Sequence, residues 1–316
     1  MISSEQRRSF EALAARQLDS AAIQAAALAA RAGDTAACVP IAAALVQCAF
    51  AAPETAEAVY ATFRNGWRGQ AAKAAMPEVL SAALSPSFWN AFWQLLDETA
   101  AMDALTITSR IAALGAFVDP CLRERAEAVA AHHPKAARPA TRTPPPRLTL
   151  DELARQPEGS LAHDFWRLIV DNKFDLEVLD RETMNLSSLP PALCYLNTRI
   201  LQMHDIWHLV GGFHTTALHE IAISAFQQAQ FGHGYSAMFL AVVVSRMALS
   251  GGEAAPVILQ TIAEASQYGA DCPSFMAIAW EKEWQAPLSE IRARHGIAGF
   301  KGSYPADHFE QLRSAA

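Results

Sequence analysis

The chain has 316 residues, which allows one or two domains with a sizeable core. Hydrophobic residues make up 52% and charged residues 18%, an apolar balance that fits buried helices or a lipid-facing surface. The formal net charge of −7 leaves no broad basic field, which argues against a nucleic-acid partner.

Residues 1–133 read as a string of amphipathic helices rich in Ala, the best helix former. Breaks are expected near Gly33-Asp34, Pro53, Gly66 to Gly69, Ser85-Pro86 and Asp119-Pro120. Ser87 is placed to cap a helix carrying Phe88, Trp89, Phe92, Trp93, Leu95 and Leu96. Positions 88, 92, 95 and 96 repeat at helical spacing, so the aromatic stripe reads as core, or as a contact with the C-terminal part or a second subunit. The best candidate for a membrane span, Ala237 to Leu249, is too short and is interrupted by Arg246. Glu5 and Glu11 flank Arg7 and Arg8 with no apolar run behind them, so no secretory signal is expected. Five scattered Cys without a CxxC pair imply reduced cytoplasmic thiols.

Residues 134–147 carry five prolines interleaved with Lys135, Arg138, Arg142 and Arg147. They read as an exposed, semi-rigid linker between an N-terminal helical region (1–133) and a second domain (148–316). In the second domain helices are expected near 150–155, 160–171, 175–182, 188–210, 215–231, 235–249, 254–268 and 273–295. Little alternates at period two, so the expected fold class is all-α.

The chemistry concentrates in His204-Asp205-Ile206-Trp207-His208, followed by Glu220. On a helix, positions 204, 205 and 208 share an arc of about 100°, so two imidazoles and a carboxylate lie on one face. Their neighbours Ile200, Leu201, Met203, Ile206, Trp207, Leu209 and Val210 are apolar. Three polar groups on such a face need compensation, and a divalent metal provides it. Gly211-Gly212 ends this helix, Thr215 or Thr216 caps the next, and the hairpin turns Glu220 back as a further ligand. The spacing differs from the HExxH zincin helix, so metalloprotease chemistry does not follow.

These residues resemble a known family. The pattern H-D-x-x-H-x11-E is similar to the hallmark of the Coq4 proteins of ubiquinone biosynthesis. Pro157-Glu158-Gly159-Ser160-Leu161 resembles the family's P-x-G-[ST]-L-G opening, and Phe226 to Gly232 its F-E-x-x-Q-x-G stretch. Trp280-Glu281, Pro287-Leu288 and Glu290-Ile291-Arg292 resemble its W-E…P-L-x-E-[LI]-R block. The likeness covers roughly residues 150 to 298, with no counterpart identified before residue 135. The chain has His219, Gln227 and Ala162 where the family usually has Gly, Glu and Gly.

The resemblance implies an all-helical metal protein with His204, Asp205, His208 and Glu220 as ligands. Zinc is the expected metal, with iron or manganese as alternatives. It implies a hydrophobic, prenylated quinone precursor as substrate, and removal of its C1 carboxyl group with replacement by hydroxyl. It also implies a peripheral place at the inner face of a bacterial-type membrane, contacts with other quinone-biosynthesis enzymes, and a homo-oligomer. Gln227, Gln230, His219 and His163 are candidates for supporting the ligands or touching substrate; His219 is expected to face solvent, and His214 and His233 to lie in turns. The apolar helix from Met238 to Leu249 reads as a buried central helix or one wall of a prenyl tunnel. Two other classes compete: a lipid-binding scaffold with a structural metal, and an HD-type phosphohydrolase built on His163, His204-Asp205 and Asp271. The latter leaves His208 and Glu220 unexplained.

Overall fold

Helix starts and stops in this chain follow local capping chemistry. In the computed structural model, which describes all residues except 1, 72–74, 99–103, 178–179, 183, 252–253 and 316, Ser3 and Gln6 form a capping box at the start of α1 (Ser4–Ala14). Asp19 caps α2 (Ser20–Arg31). Then follow α3 (Cys38–Phe50), α4 (Ala56–Trp67), α5 (Pro86–Glu98), α6 (Ala104–Ala113) and α7 (Cys121–His132). Thr149 and Glu152 box the short α8 (Leu150–Ala154), and Ser160 caps α9 (Leu161–Asn172). The long helices α10 (Pro191–Gly211), α11 (Ala217–Phe231), α12 (Gly234–Leu249) and α13 (Ala254–Asp271) come next, with α14 (Leu288–His295) and α15 (His308–Ala315) closing the chain. Among the described residues there is no strand, and the all-α expectation holds.

The aromatic stripe of α5 is core. Phe88, Phe92, Trp93, Leu95 and Leu96 are buried. Phe92 and Trp93 pack on Phe10 of α1, and Phe88 on Phe50 of α3 at 5.0 Å between ring centroids. Each such side chain contributes roughly 1.5–3 kcal/mol of burial. The cap of α5 is Ser85 rather than Ser87: the Phe88 N–H donates to Ser85 Oγ at 3.1 Å.

One apolar core runs through both halves. The α12 helix lies against α3, and α13 against α4. Polar ties cross the same seam: Trp67 Nε1 donates to Gln260 Oε1 at 2.5 Å, and Arg246 donates to the Leu96 carbonyl at 3.0 Å. The α12 helix is thus packed by other helices, and no helix among the described residues is long and apolar enough to cross a membrane.

Two expectations need correction and a third is refined. Residues 134–147 are largely exposed, as expected of a linker, but they are tied down at several points. Ala136 and Pro139 are buried, and Lys135 Nζ donates to the carbonyls of Gly269, Ala270 and Cys272, capping the end of α13. Arg142 reaches Tyr195 and the Met276 carbonyl. The described part of 175–182 is turn and bend, because Arg147 and Arg181 gather Glu177, Asp180 and Glu182 around them. Finally, 273–295 is not one helix. Short 3-10 turns occupy Phe275–Ala277 and Trp280–Lys282 before α14 starts after Pro287, since the buried Trp280 and the two prolines impose a folded path.

Candidate metal centre

The α10 helix that carries the motif is held at several points along its length. Pro191 lies in its first turn, where a missing N–H costs nothing. The next two N–H groups, of Ala192 and Leu193, donate to the two carboxylate oxygens of Glu127 on α7 at 2.8 and 2.9 Å. Mid-helix, buried Arg199 makes a two-pronged pair with Glu281, and Gln202 donates to the Pro146 carbonyl. At the far end Gly212 takes a left-handed conformation (φ 78°) and stops the helix. The Arg292 guanidinium of α14 donates to the free carbonyls of Leu209 and Val210 at 2.8 and 2.9 Å.

The sequence motifs therefore form one assembly. Glu281 and Arg292, from the C-terminal block, hold α10. The Gly159-Ser160-Leu161 opening docks on the same block, with Leu161 N–H donating to the Ala286 carbonyl and Ala162 N–H to that of Trp284.

The second arm of the hairpin is α11. It packs most closely on α13, because Gly269 has no side chain: a Cβ there would lie 2.8 Å from the Phe226 carbonyl oxygen. Thr216 stands at its N-cap, but its hydroxyl donates to the Ala306 carbonyl. The capping acceptor is Glu310 of α15, which takes the Ala217 N–H at 3.1 Å. Glu220 projects from this capped first turn.

The hairpin brings together three of the four expected ligands tightly. His204 Nε2 and His208 Nε2 are 3.0 Å apart. One Glu220 oxygen lies 3.3 Å from His204 Nε2 and the other 3.3 Å from His208 Nε2. Asp205 joins more loosely, its carboxylate lying within 4.8 Å of both imidazoles. The tight set is His204, His208 and Glu220, with Asp205 alongside. His208 is almost fully buried, whereas the Glu220 side chain is 43% exposed, so the cluster opens on the Glu220 side.

The electrostatics are those of a concentrated donor set. Burial opposes charge on Glu220, but hydrogen bonds and charge from His204 and His208 outweigh it and hold the carboxyl well below its usual range. Burial likewise opposes charge on His204, and the Glu220 contact reverses this, raising its pKa. Asp205 is raised, chiefly by burial, with the two imidazoles opposing. His208 Nδ1 is buried and has no hydrogen-bond partner among the described residues.

The supporting candidates divide. Gln227 reaches the site: its amide lies 2.9 Å from His204 Nδ1 and, on the other side, 3.1 Å from Ser236 Oγ. Gln230 does not; it ties α11 to the carbonyls of Gly269, Cys272 and Pro273 and to the Phe275 N–H. His219 is buried rather than solvent-facing. It accepts the His214 N–H at Nδ1 and packs on Phe213 and Phe300, and burial pushes its pKa down to about 4. His163 packs on Trp166, and among the described residues no hydrogen bond or ring contact joins it to His204 or His208. Asp271 accepts from Gln267 and lies outside the cluster, so the phosphohydrolase constellation does not assemble.

Sequence reasoning missed Glu127 and Glu310, whose caps come from distant helices. It also missed the continuation beyond Gln227. Ser236 Oγ is 2.8 Å from His233 Nδ1, and His233 Nε2 is 3.2 Å from Asn197 Oδ1. His233 was legible only as a turn residue, although a Ser three positions on was a usable signal.

Fold and site together define an all-helical protein whose central helical hairpin gathers paired imidazoles and carboxylates. The family model described as "Coenzyme Q (ubiquinone) biosynthesis protein Coq4" matches residues 135–300, and the chain belongs to the Coq4 family. A rat protein named "Ubiquinone biosynthesis protein COQ4 homolog, mitochondrial" is 27% identical over 165 residues, covering 52% of this chain and 58% of that protein. The Coprinopsis cinerea protein COQ4 is 22% identical over 157 residues, covering 48% and 52%. The chain thus spans little more than half the length of these relatives. A crystal structure of a ubiquinone biosynthesis protein from Nostoc punctiforme superposes with a TM-score of 0.50 at 26% identity, covering 67% of this chain and 97% of that one. That share exceeds residues 135–300 and the short tail after them, so the structural likeness reaches into the half before residue 135.

Proposed function

We propose that this chain binds one divalent cation through His204, His208 and Glu220, with Asp205 as a fourth donor or immediate neighbour. We further propose that it acts on a hydrophobic, prenylated aromatic acid in ubiquinone biosynthesis. The observation that carries the reading is the convergence of two Nε2 atoms and both Glu220 oxygens at 3.0–3.3 Å. Donors about 2.0–2.1 Å from a tetrahedral zinc are spaced by about 3.3 Å, so the set fits the metal with little movement. The mixed imidazole and carboxylate chemistry suits zinc, with iron or manganese as alternatives. When bound, the metal supplies Lewis acidity toward a ring carboxylate or hydroxyl.

The chain's own residues set the rest. The exposed side of Glu220 is where a substrate enters, while Phe213 and Phe300 exclude water behind His208 and His219. The proposed reaction is loss of the C1 carboxyl as carbon dioxide, its bonding pair staying on the ring carbon, with hydroxyl taking its place. That replacement is a two-electron oxidation, for which dioxygen is the oxidant class: the aromatic acid, water and dioxygen give the phenol, carbon dioxide and hydrogen peroxide. A scaffold with a purely structural metal is the second reading; the open Glu220 side argues against it, since structural sites are closed.

Elemental analysis of purified protein, with mass spectrometry of copurifying lipid, tests both parts. One equivalent of divalent metal and a prenylated aromatic acid are expected. Protein without metal after growth and reconstitution in zinc, iron and manganese overturns the site. Liposome flotation tests the peripheral membrane association that the family resemblance implies; protein that stays with the soluble fraction rejects it.

A further inference from the structure

A carboxamide has two ends of the same shape, and a half-turn exchanges them, so hydrogen-bond logic decides which end of Gln227 faces His204. Asn197 Nδ2 lies 2.7 Å from the Leu193 carbonyl, which only accepts, so the amide NH2 of Asn197 faces that carbonyl. Its Oδ1 therefore faces His233 Nε2, 3.2 Å away, and Nε2 must carry a hydrogen. His233 is buried, and burial together with the nearby His204 pushes its pKa down to about 3, so the ring is neutral and carries one hydrogen. Its Nδ1 is then an acceptor, and Ser236, 2.8 Å away, must donate to it. The single hydroxyl hydrogen is spent there. As placed, the Gln227 nitrogen faces His204 Nδ1 and its oxygen faces Ser236. Because Ser236 can only accept from the amide, the two ends exchange, which puts the NH2 on Ser236 and the carbonyl on His204 Nδ1. The opposite amide orientation would have Ser236 donate to Gln227, and His233 would then need a hydrogen on both nitrogens in a buried site.

We propose that Asn197, His233, Ser236 and Gln227 form a directional hydrogen-bond relay that fixes a hydrogen on His204 Nδ1 and so presents Nε2, as a bare lone pair when the ring is neutral, toward His208 and Glu220. These are positioning residues acting through His204. The relay gives an ambiguous amide the one-way character that a carboxylate at position 227 would have by itself. The hydrogen on Nδ1 is set by the relay and not by a metal; without a metal Glu220 holds a second hydrogen on Nε2, and only the use of Nε2 as a donor rests on the proposed metal site.

The test reads the tautomer directly. In metal-free full-length Glu220→Gln protein labelled with 15N-histidine, where no carboxylate holds a hydrogen on Nε2, long-range 1H–15N spectra at a pH where His204 is neutral should show an N–H-type shift at Nδ1 and a bare-nitrogen shift at Nε2. The reverse pattern overturns the relay, whether or not metal binds. The second readout is zinc affinity by chelator competition. Asn197→Leu should weaken zinc about tenfold, within the usual 10- to 100-fold range for a residue supporting a ligand. In a Gln227→Glu background, where the carboxylate only accepts, the same change should cost less than twofold. Equal losses in both backgrounds would mean a packing role and overturn the relay. Ser236→Ala provides the same comparison should Asn197→Leu not fold. If the tautomer is as expected but wild type takes up no zinc, the metal reading fails and the relay stands.

Discussion

Glu127, on α7 in the N-terminal half, accepts the backbone N–H of Ala192 at 2.8 Å, and through it the N-terminal half fixes the start of the helix that carries His204, Asp205 and His208. The N-terminal helices are thus part of the frame around the site. Glu127→Ala should cost about 1 kcal/mol in urea unfolding, the usual value of a helix cap. A fragment beginning at Leu148 would also expose the faces of α12 and α13 that α3 and α4 cover. It should aggregate or lack cooperative unfolding in calorimetry; a soluble, cooperatively folded fragment would count against the shared core.

His208→Ala should abolish stoichiometric metal in elemental analysis, because it removes a nearly fully buried donor from the tight set. Glu220→Gln should weaken binding and also lower the unfolding midpoint of the metal-free protein near neutral pH, since it removes the carboxylate that the two imidazoles hold ionised. Full retention of metal in His208→Ala would reject the ligand assignment.

Gly269→Ala should loosen the α11–α13 contact, since the new Cβ meets the Phe226 backbone oxygen at 2.8 Å. A cost of about 1–3 kcal/mol is expected. Because α11 carries Glu220 and Gln227, zinc affinity should fall with it. Calorimetry and chelator competition on the same preparation check both effects.

Glu281→Ala leaves the buried Arg199 guanidinium without its carboxylate. Breaking a well-buried pair costs about 3–5 kcal/mol, and the partial exposure of Glu281 lowers the expectation to about 2 kcal/mol. A loss below 0.5 kcal/mol in urea unfolding would show that Arg199 is not held there by charge.

His133 gives a pH dependence with a definite sign. Burial, with the nearby Lys135 charge, lowers its pKa to about 4, against about 6.5 unfolded. The unfolded chain therefore binds a proton that the folded chain refuses, and the stability present above pH 6.5 is lost as pH falls toward 4. For this residue the loss is about 3 kcal/mol by pH 4. His204 works in the opposite sense, because its pKa is raised. The difference between wild type and His133→Gln isolates the term: urea unfolding of the metal-free variant should show a shallower decline from pH 6.5 to 4.

The sequence by itself determined the helical class, most helix boundaries and the hairpin that carries His204, His208 and Glu220. Those properties are local. Apolar spacing sets α5 and α10, Gly212 stops α10 by its left-handed turn, and four residues of helix bring His204 and His208 onto one face. Glu220 was legible because the turn between α10 and α11 is too short to send it elsewhere. What only the tertiary structure decided depends on partners far apart in the chain. The prolines of 134–147 suggested an exposed, semi-rigid linker, and only the fold shows that Lys135 finds the carbonyl end of α13 and ties the segment down. His219 was placed outward by its angle from Glu220, yet Phe213 and Phe300 cover it. Thr216 stood where a cap was needed, but Glu310, more than ninety residues on, supplies it. The direction of the hydrogen bond at His204 was equally invisible, since it is set by the Leu193 carbonyl and passed through side chains from three helices or their ends. Periodicity reports which face of a helix is apolar; it carries no information about which distant donor or acceptor will meet the polar groups on that face.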